Sequence, residues 1–202
     1  RPPRSPLFPY TTLFRSKETI EMTEEMNEAP FKAVDMSQFK RTYLDIPYAD
    51  AHEREKLDLV LPDEGEGPFP VLVVVHGGAW KFRFKLADNI AALFQAASQG
   101  YAVASVGYRL SSHAKWPAQV NDVKAAIRYL RNHAEEYHLD PTCVIVCGNS
   151  SGGHIAQTVA ATNDDIDFED CLLGDCGDSS VQGCFSMYGV SDIYVCEHQT
   201  GH

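Results

Sequence analysis

The stretch CVIVCGNSSGGHIAQTVAAT, residues 143–162, decides the fold. It begins with apolar, mostly β-branched residues, passes through a cluster of glycine and serine, and continues with small and apolar residues at helical spacing. This order predicts a buried strand, a tight turn and a helix. At the turn, Gly148-Asn149-Ser150-Ser151-Gly152 fits the pattern G-x-S-x-G. Its glycines permit a sharp strand-to-helix bend that presents the central hydroxyl, that of Ser150, above the end of the strand.

The same five residues have a second interpretation. A glycine-rich turn between a strand and a helix also occurs without any catalytic role, and Ser151 would then serve only as the helix N-cap. Three fixed positions in five arise often by chance. The strand before the turn and the small-residue helix after it favour the nucleophile interpretation.

A second motif follows another apolar strand. Val71–Val75 is continuously apolar, as expected of a strand covered on both faces, and it runs into His76-Gly77-Gly78-Ala79-Trp80. Acyl transfer passes through a tetrahedral oxyanion that needs preorganised N–H donors, and consecutive glycines leave such groups uncrowded. A phosphate-binding loop is the alternative, but no P-loop lysine or dinucleotide fingerprint follows. Together the two motifs predict an acyl-transfer site.

Strands and helices alternate along most of the chain, which predicts an α/β fold with a mostly parallel sheet and helices on both faces. The first two strands alternate apolar and polar residues, so each is expected to have one solvated face. Predicted strands are 41–49, 56–62, 71–75, 101–108, 143–147 and 181–189; predicted helices include 86–97 (stopped by Gly100), 117–130 and a segment starting near 151.

Composition excludes several classes of function. The 202 residues suit one domain, and 28 acidic against 17 basic residues give a net charge of −11. Such an acidic chain argues against binding to nucleic acid or to anionic membranes. No apolar run reaches the roughly 18 residues of a membrane span. With no visible signal peptide, we expect a cytoplasmic protein whose oligomeric state stays open.

The six cysteines show no spacing typical of a zinc site, and no metal or other cofactor is expected. Reduced thiols are favoured. A disulfide between Cys171 and Cys176, which flank a short acidic loop, is the alternative in an oxidising compartment.

From about Thr42 to the C-terminus, the chain contains the segments YADAHEREKLDLVLP, HGGAW, VGYRLSSHAKWPAQVNDVKAAIRYLR, LDPTCVIVCGNSSGGHIA and YGVSDI. In these segments it resembles the α/β-hydrolase superfamily. Within it, the resemblance is to the esterase/lipase branch related to hormone-sensitive lipase and the feruloyl-esterase-like BD-FAE domains. The resemblance implies a carboxylic-ester hydrolase with a serine nucleophile and an acyl-enzyme intermediate, acting on small or aryl and acetyl esters. An arylformamidase-like amide hydrolase is the alternative, as is a non-catalytic binding or scaffold module if the chain is complete.

Carried over residue by residue, the resemblance makes Ser150 the nucleophile. The N–H groups of Gly78, Ala79 and Ser151 would form the oxyanion hole. Trp80 would line the substrate pocket, although a core tryptophan is an equal alternative.

Four other residues belong to the family pattern without a catalytic role. His76 is expected to hold its loop rather than to act as the base. Arg109 and Asp122 resemble scaffold residues, and His154 is expected to pack or to hydrogen-bond.

The two ends of the chain raise a separate expectation. Residues 7–16 resemble a translated sequencing adaptor, so 1–16 is taken as non-native, with a disordered proline-rich tail as the alternative. Residues 17–40 are a lead-in. Residues 41–202 are then expected to be the N-terminal two-thirds of a hydrolase domain, C-terminally truncated, with the last strands missing and 181–189 left as an exposed sheet edge.

The partners of the serine are expected to be missing as well. In this fold they follow in the order Ser…Asp…His, after later strands. Asp192 is a weak candidate for the acid, and His198 and His202 are weaker candidates for the histidine. We therefore expect this chain to have little triad-dependent activity.

Overall fold

The computed structural model describes residues 32–175 and 177–193. The chain divides into two compact units, Phe31–Ser191 and a second unit formed by Arg1–Pro30 with Asp192–His202. The account below concerns the first unit.

Several sequence predictions fall outside the described residues. These are the adaptor-like segment 1–16, the first part of the lead-in, and the candidate histidines His198 and His202. They stay predictions.

Six strands form one sheet in the order β1-β2-β4-β3-β5-β6. β1 pairs antiparallel with β2, and β2 antiparallel with β4; the other neighbours are parallel. The predicted mostly parallel α/β sheet is therefore confirmed. The elements are β1 Thr42–Pro47, β2 Lys56–Val60, β3 Phe69–Val75, β4 Ala102–Val106, β5 Leu139–Asn149, β6 Gly183–Met187, α1 Ala118–Asn132, α2 Ser151–Ala161, and the 3₁₀ helices Met36–Gln38, Asp88–Gln99 and Ile166–Phe168.

Helices cover both faces of the sheet, as predicted. Successive side chains of a strand point to opposite faces, so neighbouring valines of β3 belong to different cores. Val73 and Val75 pack in the core that contains residues of α1 and α2, whereas Val74 packs in the core of the 3₁₀ helix Asp88–Gln99. The first core includes Val123, Ile127, Val146, Ile155 and Val159, and the second includes Val60, Ile90, Phe94, Val103 and Cys147.

The register of β3 and β5 brings the two motifs to one edge of the sheet. The strands are parallel, and Val75 at the end of β3 lies opposite Gly148 near the end of β5. The His76–Trp80 loop and the Ser150 turn therefore leave the sheet side by side. A topology in which β3 and β5 were separated would keep the motifs apart.

The helix predicted over 86–97 is present, but it is wound as a 3₁₀ helix over Asp88–Gln99. Apolar spacings of three and four residues are typical of an α-helix, so the sequence pattern does not account for the 3₁₀ winding. Gly100 ends the helix in the left-handed region, at φ +91°, which confirms the predicted stop.

The prediction of a solvated face on β2 is wrong. The side chain of Asp58 is fully buried, because β2 lies between β1 and β4 and its polar side is covered by Lys85. The Asp58 carboxylate accepts from Lys85 Nζ at 2.5 Å and from the backbone N–H of Asp45 at 2.7 Å. A buried ion pair with a further hydrogen bond thus occupies the position expected to face water.

β6 confirms the predicted strand within 181–189 and forms an edge of the described sheet. Among the residues that the structure describes, it pairs with β5 alone. Phe185 is 57% exposed there, as predicted for an apolar edge.

Cys143, Cys147 and Cys184 are free thiols. Cys176 lies outside the described residues, so its pairing with Cys171 stays open. In the described ranges, no helix combines the length and the hydropathy that crossing a bilayer requires.

Replacing the buried carboxylate should cost far more than replacing an exposed one. Asp58→Ala removes the buried acceptor of the Asp45 N–H and leaves Lys85 paired only with the exposed carboxylate of Asp45 at 3.0 Å, so we expect the free energy of unfolding to fall by about 2 kcal/mol. Asp63→Ala, which removes an exposed ion pair with Lys40, is the matched control and should change it by less than about 1 kcal/mol. Urea unfolding measures both, and equal losses would contradict the role given to Asp58.

Candidate active site

Ser150 occupies a strained backbone position between β5 and α2. Its φ is +52° and its ψ −122°, a conformation that residues with a side chain rarely adopt. Two hydrogen bonds hold it there. Its N–H donates to the carbonyl of Met187 at 3.0 Å, and its carbonyl accepts from the N–H of His154 at 3.0 Å. Ser150 is partly exposed, so it does not lie fully inside the packed core.

The glycines on either side make this bend possible. A Cβ on Gly152 would lie 2.2 Å from the carbonyl oxygen of Val75 and 2.5 Å from that of His76. One on Gly148 would lie 2.5 Å from the backbone of Gly152. Helix α2 therefore begins in direct backbone contact with the end of β3, and any side chain at these two positions would push the turn away from the His76–Trp80 loop.

Three consecutive residues of that loop have positive φ: Gly78 at +129°, Ala79 at +49° and Trp80 at +59°. The N–H groups of Lys81 and Phe82 donate back to the Gly78 carbonyl, at 2.9 and 3.1 Å, and close the loop into a tight turn. Left-handed backbone of this kind turns amide groups away from the pattern of an ordinary strand or helix.

The donors predicted for the oxyanion hole are available. Within the described part of the chain, the N–H groups of Gly78, Ala79 and Ser151 donate no hydrogen bond. Ser151 is the first residue of α2, where helix geometry leaves the N–H without an intrahelical acceptor. The partial positive charge of that helix end also favours an anion.

Asn149 links the serine turn to the loop, a role that the sequence analysis did not assign. It is the variable residue of the G-x-S-x-G pattern, and its side chain is buried. Its Oδ1 accepts from the N–H of Gly77 at 2.9 Å and, more weakly, from Nδ2 of Asn89 at 3.4 Å. A Cβ on Gly77 would come within 2.8 Å of the Asn149 carbonyl oxygen. The two motifs are thus joined by a buried hydrogen bond.

The side chain of His76 supports the loop through buried contacts. Its ring is fully buried, stacks on Tyr108 at 4.3 Å, and has Nδ1 2.7 Å from the carbonyl oxygen of Gly77. The hydroxyl of Tyr108 donates to the carbonyl of His76 at 2.9 Å. Burial lowers the pKa of His76 from 6.5 to about 3. The imidazole is therefore neutral at pH 7, so that Nδ1 donates to Gly77.

Arg54, to which the sequence analysis assigned no role, also supports this loop. Its Nε donates to the carbonyl of Tyr108 at 2.9 Å, and its NH2 donates to the carbonyl of Arg83 at 2.5 Å. The same nitrogen lies 3.5 Å from Nε2 of His76. One guanidinium thus ties together three segments around the loop.

The expected scaffold pair is in contact. Arg109 NH2 donates to Asp122 Oδ1 at 2.6 Å, and the Arg109 N–H donates to Oδ2 at 2.7 Å. Glu55 also pairs with Arg109, at 3.1 Å. Burial raises the pKa of Asp122, and its hydrogen bonds to Arg109 oppose that rise.

Trp80 and His154 contact each other beside the serine. The two rings are perpendicular at 5.3 Å, and Trp116 lies on the imidazole as well, at 4.8 Å. Trp80 is half-buried and packs against the main core, so the structure leaves both of its predicted roles open.

The structure brings the predicted nucleophile and the predicted donors to the same edge of the sheet but does not join Ser150 to a base. Among the described residues, the Ser150 hydroxyl makes no hydrogen bond. Asp192 is exposed and belongs to the other compact unit, so its role as acid stays a prediction. In the same described ranges, no group of three or more His, Cys, Asp or Glu side chains is placed to hold a metal.

The chain matches the family model described as BD-FAE over residues 57–202. Among curated proteins, it is 34% identical over 125 residues to "Esterase LipC" of Mycobacterium tuberculosis, a match that covers 62% of this chain and 31% of LipC. It is 30% identical over 124 residues to "Kynurenine formamidase" of Danio rerio, covering 61% of this chain and 40% of that protein. The chain thus spans well under half the length of these relatives.

Solved structures agree with the fold. A truncated form of a carbohydrate esterase from gut microbiota superposes with a TM-score of 0.65 at 33% identity, covering 76% of this chain and 58% of that one. The α/β-hydrolase fold expected from the sequence is therefore confirmed.

The buried hydrogen bond of Asn149 gives a direct test of how the two motifs are held. Asn149→Ala leaves the Gly77 N–H buried without an acceptor, so we expect the free energy of unfolding to fall by about 1–3 kcal/mol. Hydrogen exchange of the Gly77 amide should become faster. Asn149→Asp keeps an oxygen in place and should retain most of the protection. Unchanged exchange in Asn149→Ala would show that the loop is held by other contacts.

Proposed function

Because the chain belongs to the BD-FAE family, we propose that it carries the nucleophile and the oxyanion donors of a carboxylic-ester hydrolase. The observation that supports this most strongly is the bend at Ser150. A serine at φ +52° stands at the start of α2, next to a loop whose amide donors make no other hydrogen bond in the described structure. This is the arrangement that acyl transfer requires.

In the proposed reaction, Ser150 Oγ attacks the carbonyl carbon of the ester while a base takes its proton. The carbonyl oxygen becomes an oxyanion, which accepts hydrogen bonds from the N–H groups of Gly78, Ala79 and Ser151. Collapse of this intermediate breaks the bond to the alcohol, which leaves with a proton and gives the acyl-enzyme. Water then attacks the acyl group, releases the acid and restores the serine.

Two histidines near the site are poor candidates for the base. A general base must reach the hydroxyl that it deprotonates and must have a pKa near the working pH. His76 meets neither condition, because its nitrogens face Gly77 and Arg54 and its pKa is about 3. The ring of His154 lies among indoles. We therefore assign the base to a histidine beyond the described residues.

The proposed substrates are small esters or aryl and acetyl esters. The relatives named above include an esterase, and a structural neighbour is titled a carbohydrate esterase, which supports ester hydrolysis. Amide hydrolysis of the arylformamidase kind is the second candidate, and the similarity to kynurenine formamidase favours it. Both reactions use the same oxyanion donors.

Substituting the serine tests the proposal. Where a histidine partner is present, Ser150→Ala should lower kcat for p-nitrophenyl acetate by roughly 10⁴-fold or more, because the acyl-enzyme no longer forms. Ser151→Ala is the matched control and should be mild, because only its backbone N–H is used. Equal rates for wild type and Ser150→Ala would refute the proposed nucleophile.

The 202-residue chain itself should show little turnover of this ester, although oxyanion donors alone leave residual catalysis. Robust turnover that Ser150→Ala abolishes would instead mean that Asp192 or a terminal histidine completes the site. Comparing p-nitrophenyl acetate with N-formylkynurenine separates the two candidate functions. We expect the ester to have the higher kcat/KM, and the reverse order would favour the formamidase.

A further inference from the structure

One imidazole, that of His154, contacts both tryptophans of the chain. Trp80 meets it edge to face at 5.3 Å, and Trp116 lies at a tilt of 41° at 4.8 Å. Perpendicular aromatic pairs at such distances are favourable beyond the area they bury. Three separate segments meet at this ring: the first turn of α2, the end of the His76–Trp80 loop, and the residue before the Pro117 that precedes α1.

The ring is carried by a fixed piece of backbone. Gly153, the residue before His154, has no room for a Cβ, which would lie 2.8 Å from Ser186 Oγ and 2.9 Å from Cα of Gly189. The N–H of His154 donates to the Ser150 carbonyl. The backbone that carries the imidazole is therefore fixed relative to the nucleophile.

Trp80, in contrast, belongs to a strained loop. It has a φ of +59° and follows Ala79, also at positive φ, while its carbonyl accepts from the N–H of Ser111 at 2.8 Å. Strained backbone of this kind persists only where surrounding contacts determine it. Contact between the indole and the imidazole is one such determinant.

One ring nitrogen of His154, Nδ1, is buried and has no hydrogen-bond partner among the described residues. Burial also lowers the pKa of the ring, which favours the neutral form. Together with the two ring contacts, these observations favour packing against the indoles, rather than an ion pair or a hydrogen bond from Nδ1, as the role of the imidazole.

We propose that His154 is a positioning residue, whose ring holds Trp80 and thereby places the N–H groups of Gly78 and Ala79 against the serine. This inference rests on the proposed function, since it concerns the same oxyanion donors. The imidazole would act as an aromatic spacer between α2 and the His76–Trp80 loop.

Kinetics of two substitutions test the proposal. Where a histidine partner is present, His154→Ala removes the spacer, so the Ser150-dependent kcat on p-nitrophenyl acetate should fall about 10- to 100-fold with little change in KM, because misplaced donors weaken the transition state. His154→Phe keeps an aromatic ring without nitrogen and should stay close to wild type. His133→Ala, which removes an imidazole stacked on Tyr129 at 4.0 Å, is the control for loss of a ring contact elsewhere.

The fluorescence of Trp80 tests the positioning role of His154 without any measurement of catalysis. In a Trp116→Phe background, Trp80 is the single tryptophan, and its emission and its quenching by acrylamide report on its surroundings. We expect quenching to rise in His154→Ala and to remain at the background level in His154→Phe.

The results distinguish failure of this proposal from failure of the proposed function. If His154→Phe is as impaired as His154→Ala, the ring nitrogen is used and the proposal is overturned. Unchanged kcat or unchanged Trp80 quenching in His154→Ala overturns it as well. If Ser150→Ala has no effect in the parent protein, the proposed function fails, and the quenching of Trp80 still decides whether His154 positions the loop.

Discussion

The site depends on one backbone constraint, the close approach of the α2 start to the end of β3. At Gly152, the carbonyl oxygens of Val75 and His76 leave no room for a Cβ. This contact forces the chain to turn within two residues after β5, which is what holds Ser150 at a positive φ. Strain of this size, of order 1–3 kcal/mol, persists because two parallel strands and a helix all determine the same bend.

The donor loop is preorganised because its other polar groups are satisfied elsewhere. The Gly77 N–H is bound by Asn149, and the Gly77 carbonyl by the neutral imidazole of His76. The carbonyl of His76 is bound by Tyr108. With these groups fixed inside the protein, the adjacent amides of Gly78 and Ala79 have no competing acceptor in the described structure. Donors that need not reorganise are the ones that stabilise an oxyanion effectively.

The sequence predicted features that depend on neighbouring residues, but not those that depend on contacts between residues far apart in the chain. The glycines at 148 and 152 marked the sharp bend in the sequence, and the alternation of strands and helices predicted the fold. The close approach of this bend to the end of β3 became visible only in the structure. The burial of Asp58 and the support by Arg54 depend on residues 27 and 29 positions away in the chain. Alternation shows which side chains share a face of a strand, but it does not show what covers that face. For the role of Asn149, the sequence offered only one weak indication, which is its position inside the G-x-S-x-G motif.

Under the proposed function, the same oxyanion donors would serve an ester and an amide substrate. The groups proposed to contact the reacting carbonyl are one hydroxyl and several backbone amides, and a carbonyl oxygen develops the same negative charge whichever bond is to break. Both leaving groups depart with a proton, but an amine needs it more strictly than an alcohol, and in the proposed reaction that proton comes from the histidine. Under this proposal, preference between the two substrates depends on how the histidine is placed, whereas charge stabilisation depends on the N–H groups of Gly78, Ala79 and Ser151. Because the donors are main-chain groups, side chains influence them only by fixing the backbone, as Asn149 does.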